Sequence, residues 1–236
     1  MKTIHMILIA LFAFATHCVA QIPEKPSTLW VQFDDRFTDN EVMDLGGVDS
    51  IGFTSSSYRL YKYNAASGRM RTVTKSYRNN GVYRMDEVER SLVKPSEYSN
   101  VDFTKETSRW CFQRSMESEH FVCFWEKGLT LRNNTLTLGG SSVNVKTLLN
   151  NGEKIWKCYV EELGFLEPGN SLTDDHKICM FIVNQTEWRA DGSGQDGTVW
   201  YYDGSTKRSK SYKVGLFHCN PWAAGAEGGH TAAHEI

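Results

Sequence analysis

Glu119-His120-Phe121-Val122-Cys123-Phe124-Trp125 is a dense apolar and aromatic run. Its length and composition predict a strand buried within a sheet. Lys177-Ile178-Cys179-Met180-Phe181-Ile182-Val183 is a second run of the same kind. Between them Val145, Leu148, Leu149, Ile155, Trp156, Tyr159, Val160 and Leu163 recur mostly at three- and four-residue steps. That spacing predicts one amphipathic packing helix, opened by Ser141-Ser142 and closed by Gly164 and Pro168. Asn150-Asn151-Gly152 in its middle predicts a kink or a split.

Further along, Asp191-Gly192-Ser193-Gly194-Gln195-Asp196-Gly197 interleaves acids with glycines. The spacing does not match an EF-hand calcium loop, so a hairpin turn is the preferred reading. Thr198-Val199-Trp200-Tyr201-Tyr202 and Tyr212-Lys213-Val214-Gly215-Leu216-Phe217 flank the turn Asp203-Gly204-Ser205 as strands. Asn220-Pro221 has the cap and first-turn residues of a helix. Gly225, Gly228 and Gly229 move the expected start of that helix proper nearer Gly229.

Towards the N-terminus the pattern is of short β-prone runs. Leu29-Trp30-Val31-Gln32-Phe33 ends at Asp34-Asp35, and residues 57–63 alternate before the turn Asn64-Ala65-Ala66-Ser67-Gly68. Residues 70–75 read as the hairpin partner, and Asn79-Asn80-Gly81 marks a turn before Val82-Tyr83-Arg84-Met85. Residues 21–100 are therefore expected to form a small, mostly β region. The polar stretch Lys94-Pro95-Ser96-Glu97-Tyr98-Ser99-Asn100 is the expected linker to a second unit over residues 101–236. Tyr58, Tyr61 and Tyr63 have the chemistry of a glycan-stacking platform, although ordinary sheet packing is the preferred reading.

Composition limits the partners. The formal charge is −2, and the only basic cluster of note, Lys207-Arg208-Ser209-Lys210, reads as a solvated loop. No clustered basic face marks a nucleic-acid partner. Residues 1–20 have the layout of a secretory signal: Lys2, an apolar stretch from Ile4 to Phe14, and the small residues of Cys18-Val19-Ala20. The apolar stretch is short for a membrane span, so an exported protein with no membrane attachment after cleavage is expected. Removing Cys18 leaves Cys111, Cys123, Cys158, Cys179 and Cys219, an odd number that predicts at least one free thiol or a partner elsewhere. Their apolar surroundings suit small buried core residues as well as disulfides.

The chemistry-bearing stretch is Gly229-His230-Thr231-Ala232-Ala233-His234-Glu235-Ile236. His-Glu on a helix is the first half of H-E-x-x-H, where two histidines one turn apart hold a metal and the Glu serves as general base. With Ser118-Glu119-His120-Phe121-Val122-Cys123-Phe124-Trp125 and Val160-Glu161-Glu162-Leu163-Gly164-Phe165, this stretch resembles exported zincin-like metallopeptidase proteins otherwise described as domains of unknown function. The resemblance covers the second half of the chain. It implies an α+β fold: a zincin-like N-terminal subdomain with a mixed sheet, a backing helix and the start of a metal-binding helix, preceded by the small mostly β unit.

It also implies His234 as first zinc ligand, Glu235 as general base on a zinc-activated water, and protein or peptide substrates. The second histidine of the motif would fall two residues beyond Ile236. Catalytic zinc needs three protein ligands, so residues 1–236 alone are expected to be inert. His230 lies four residues before His234 and would share its helical face. Glu235 then falls outside that pair, which favours a structural reading of His230 over metal binding. His120, at a strand start, likewise reads as a satisfied structural histidine. Two rival readings are an exported glycan- or surface-binding module and a non-catalytic zincin-like scaffold.

Overall fold

The computed structural model describes residues 26–78, 80–167 and 169–225. The class is α+β, with far more strand than helix. The expected signal sequence lies outside the described residues.

The N-terminal strands are β1 (Thr28–Phe33), β2 (Glu41–Asp44), β3 (Ser50–Phe53), β4 (Ser57–Asn64), β5 (Arg69–Ser76) and β6 (Gly81–Met85). They form two three-stranded antiparallel sheets, β2-β1-β6 and β3-β4-β5. Gly68, at φ +64 in the left-handed region, closes the β4–β5 hairpin as the turn residues require. Leu29, Leu45, Val48, Tyr58 and Leu60 bury a shared core. Successive strand residues face opposite ways, so Tyr58 points into that core while Tyr61 and Tyr63 occupy the other face. The three tyrosines therefore do not make one platform. Tyr58 packs on Tyr77 and Tyr83, with ring centroids 6.2 and 5.5 Å away.

The remaining strands are β7 (Ser91–Leu92), β8 (Lys94–Pro95), β9 (Ser115–Glu117), β10 (Phe121–Trp125), β11 (Thr135–Leu138), β12 (Ser141–Asn144), β13 (His176–Ile182), β14 (Ala190–Asp203) and β15 (Thr206–Cys219). The main sheet runs β8-β14-β15-β13-β10-β9, with β7 also on β13. β13 is parallel to both β10 and β15, whereas β14 and β15 form a long antiparallel hairpin. The sheet is thus mixed. The helix α1 (Val145–Trp156) makes the crossover from β10 to β13, and the short helix α2 (Leu172–Asp175) directly precedes β13.

Both faces of the central strands are covered, which explains why their sequences are apolar without alternation. Phe121, Cys123, Met180, Ile182, Phe217 and Cys219 face α1 through Val145, Leu148 and Leu149. Val122, Phe124, Cys179, Phe181 and Leu216 face a second layer that includes Phe37, Tyr98, Phe103 and Trp110. Each such aliphatic or aromatic side chain contributes about 1.5–3 kcal/mol by leaving water.

Five local expectations are corrected. Ser141-Ser142 belong to β12, and the helix starts at Val145 because the Asn144 side chain accepts from the Thr147 amide. Gly152 neither kinks nor splits α1. A Cβ there would lie 3.1–3.2 Å from Met180 and Phe121, so the glycine lets the helix approach the sheet closely. Beyond Trp156 the helix widens into a π segment, Lys157–Glu162, and Gly164 follows with φ +65.

Residues 191–197 are not a turn. The β14–β15 ladder is unbroken from Ala190↔Cys219 to Asp203↔Thr206. At Gly197 a Cβ would meet Val93 Cγ1 at 2.6 Å and Val214 Cγ2 at 2.9 Å, so glycine serves a close crossing inside a strand. Residues 207–210 lie on the exposed arm of β15 and not in a loop. Residues 94–100 are no free linker, since Lys94 and Pro95 pair with Thr198 and Gly197 and Tyr98 is buried.

Candidate functional site

Parallel strands present their carboxyl ends together, and ligand chemistry in sheets of this kind gathers there. β15 ends at Cys219, and the chain turns at Asn220 into the short helix α3 (Pro221–Gly225). Asn220 is buried and uses its whole amide. Nδ2 donates to the carbonyls of Gln185 and Glu187, at 3.0 and 2.7 Å, and Oδ1 accepts from the amides of Ala223 and Arg189, at 3.0 and 3.3 Å. This cap starts a helix at Pro221, as the Asn-Pro pair allows, while the start expected near Gly229 lies outside the described residues. Ala223 and Ala224 are buried, and a Cβ on Gly225 would lie 2.1 Å from the Ser142 carbonyl oxygen. The end of α3 therefore rests directly on the backbone of β12. Trp222 stands outside it, edge-on to Trp188 with ring centroids 5.4 Å apart.

One residue before Cys219, on the opposite face of β15, His218 meets Tyr98. The Tyr98 hydroxyl lies 2.5 Å from His218 Nε2, and Asp191 Oδ1 lies 3.3 Å from Nδ1 but off line for a full hydrogen bond. Arg189 bonds to Asp191 at 2.6 Å and holds its carboxyl below the usual range. An ionised Asp191 accepts only, so the ring proton belongs on Nδ1 and the Tyr98 O–H donates to Nε2. Burial keeps His218 below its ordinary value, despite the pull of Glu97 and Asp191, and pushes the Tyr98 hydroxyl well up. The pair is neutral and buried. It fixes β15, β14 and residues 96–98 to one another, and exposes no reactive atom of its own. Sequence reading passed over these residues because Tyr98 lay in a supposed linker and Asp191 in a supposed turn. The usable signal was His218 itself, a polar residue inside the apolar run Leu216-Phe217-His218-Cys219, which needs a buried partner.

His120 has the structural role expected of it. Its ring stacks on Trp156 at 3.5 Å, its Nδ1 lies 2.7 Å from Glu153 Oε2, and its backbone amide bonds to Glu153 Oε1 at 2.9 Å. Asp191 and Asp196, weighed as calcium ligands, are instead paired with Arg189 and Lys213. The residues expected to carry catalysis, His234 and Glu235, and the further metal candidate His230 all lie outside the described residues. Among the described residues no group of three or more His, Cys, Asp or Glu side chains is placed to hold a metal ion. Also among the described residues, no helix is long and apolar enough to cross a membrane.

An α+β protein with a mixed sheet, a crossover helix packed on one face and a capped helix leaving its last strand is what this geometry defines. Residues 85–236 match a family of unknown function (DUF6055), and the chain belongs to that family. No curated protein and no solved structure matches it.

Proposed function

We propose that this chain is part of a secreted, zincin-like zinc metallopeptidase that hydrolyses peptide bonds in proteins or peptides. The observation that carries the reading is the sequence Gly229-His230-Thr231-Ala232-Ala233-His234-Glu235-Ile236. Two features of the frame support it: α1 backs a mixed sheet, and Asn220 fixes the direction in which the chain leaves β15. His234 is assigned as a metal ligand and Glu235 as the base that takes the proton from the attacking water. Bound zinc would supply the acidity that makes such a water nucleophilic near neutral pH. His230 is left as a helical-face neighbour of His234.

The test extends expression through the codons that follow Ile236. Histidine is expected at position 238, with one zinc per chain after dialysis and hydrolysis of an unfolded protein substrate. Glu235→Gln should retain zinc and lose at least about a hundredfold in rate, in line with removal of a general base. Any other residue at position 238 overturns the reading.

A glycan-binding module is the second reading. It rests on Tyr61 and Tyr63, which share one face of β4, with Tyr63 56% exposed. Glycan-array binding lost in Tyr63→Ala would favour it over proteolysis.

A further inference from the structure

The main sheet opens between β13 and β15. Their parallel pairing begins only at Cys179↔Leu216, while His176 and Lys177 pair with β7. A cavity of about 280 Å³ occupies the opening. Its walls are largely apolar, from Val93, Leu172, Ile178, Val214, Leu216 and Phe217.

The polar groups of the lining are nearly all committed. Ser171 and Thr173 bond to one another at 3.0 Å, and Ser171 caps the short helix Leu172–Asp175. Lys213, which is mostly exposed, pairs with Asp196 at 2.5 Å, and Lys177 with Glu117 at 2.7 Å. His176 is the exception. Only 5% of it is exposed, and neither ring nitrogen makes a full hydrogen bond among the described residues. Such a buried, unmet group needs a partner.

The position of Nε2 decides what that partner must be. His176 Nε2 lies 3.2 Å from Asp39 Oδ1, off line for a full hydrogen bond, and Asp39 accepts from Ser91 Oγ at 2.5 Å. Burial alone would raise the Asp39 carboxyl, but the nearby His176 ring and the Ser91 hydroxyl outweigh it and hold the group below its ordinary value. An ionised carboxylate accepts only, so Nε2 carries the proton. In the neutral ring Nδ1 is then an acceptor.

We propose that this cavity binds a small, mostly apolar molecule bearing one hydroxyl group, whose O–H donates to His176 Nδ1. At about 30 Å³ per non-hydrogen atom the space admits roughly nine such atoms. A carboxylate-headed ligand fits poorly, because its oxygens would face a lone pair near Asp39 and both lining lysines are already paired.

The isomers hexan-1-ol and methyl pentyl ether test this, since only the alcohol has a proton to donate. Both are titrated into the full chain, with binding followed calorimetrically and through the His176 ¹⁵N shifts. The alcohol should bind on the order of millimolar, about tenfold tighter than the ether, and should shift the Nδ1 resonance. In His176→Phe the preference should vanish, and Leu172→Trp, which fills the cavity, should abolish binding of both. Equal affinity for the isomers, binding of neither, or a preference that survives His176→Phe overturns the proposal. The comparison on the unsubstituted chain decides the matter even if a variant fails to fold. The outcome is independent of peptidase activity.

Discussion

Glu153 shows how much one side chain in α1 can do. It sits in the middle of the helix, and its two oxygens take the backbone amide and the ring of His120, at the start of β10. Burial tends to raise its carboxyl, but hydrogen bonds from His120 and Ser118 prevail and hold it below the ordinary value. The sign for stability follows by linkage. The folded value lies below the unfolded one, so the stabilisation is complete above the unfolded carboxylate range, near pH 4.3, and is lost as pH falls through the folded value. Glu153→Gln should therefore lower stability at pH 7 by about 1 kcal/mol and flatten the acid limb of a urea-denaturation series against pH. An unchanged acid limb would remove Glu153 from this role.

Among the elements, glycine separates what a sequence shows from what it conceals. The apolar runs of β10 and β13 and the hairpin at residues 64–68 were legible because burial on both faces and turn chemistry leave direct marks. The glycines at 192, 194 and 197 were misread because a glycine inside a strand, needed at 197 for a close crossing, looks the same as one needed for a turn. Pro95 misled in a similar way: it ends β8 on the outer edge of the sheet, where proline is tolerated, yet it reads as linker chemistry. The candidate site divides likewise. His120 and the cap at Asn220 were legible, the Tyr98–His218 pair was not, and His230, His234 and Glu235 lie outside the described residues. Gly197→Ala should destabilise by about 1–3 kcal/mol, as overpacking does. Gly194→Ala, where an added Cβ meets nothing within 4 Å, should stay within about 0.5 kcal/mol. Equal urea midpoints for the two variants would contradict the crossing at Gly197.

At the scale of the molecule, stability among the described residues rests on packed layers and not on cross-links. Cys111, Cys123, Cys158, Cys179 and Cys219 are all free, and only Cys158 is not buried. Burial pushes the Cys179 thiol up to about 12 and raises Cys123 and Cys219 as well, which suppresses the reactive thiolate. A thiol reagent should label Cys158 first, with the four buried cysteines reacting only as the protein unfolds. The melting temperature should not change with added reductant. A drop in melting temperature on reduction would show a disulfide that this arrangement lacks.

The segment that carries Val93 touches β13 at Ser91 and Leu92 and β14 at Lys94 and Pro95. Its partners lie some eighty to one hundred residues later in the chain, so these contacts close long loops. Loop closure of that length delays a contact until the distant elements exist. β13 and the β14–β15 hairpin must form before the strap has anything to bind. During synthesis the early β-rich region emerges long before the strands that anchor its end. Residues 91–95 are consequently a late-locking clasp, and a refolding experiment should find their amides among the last in the main sheet to gain protection from exchange.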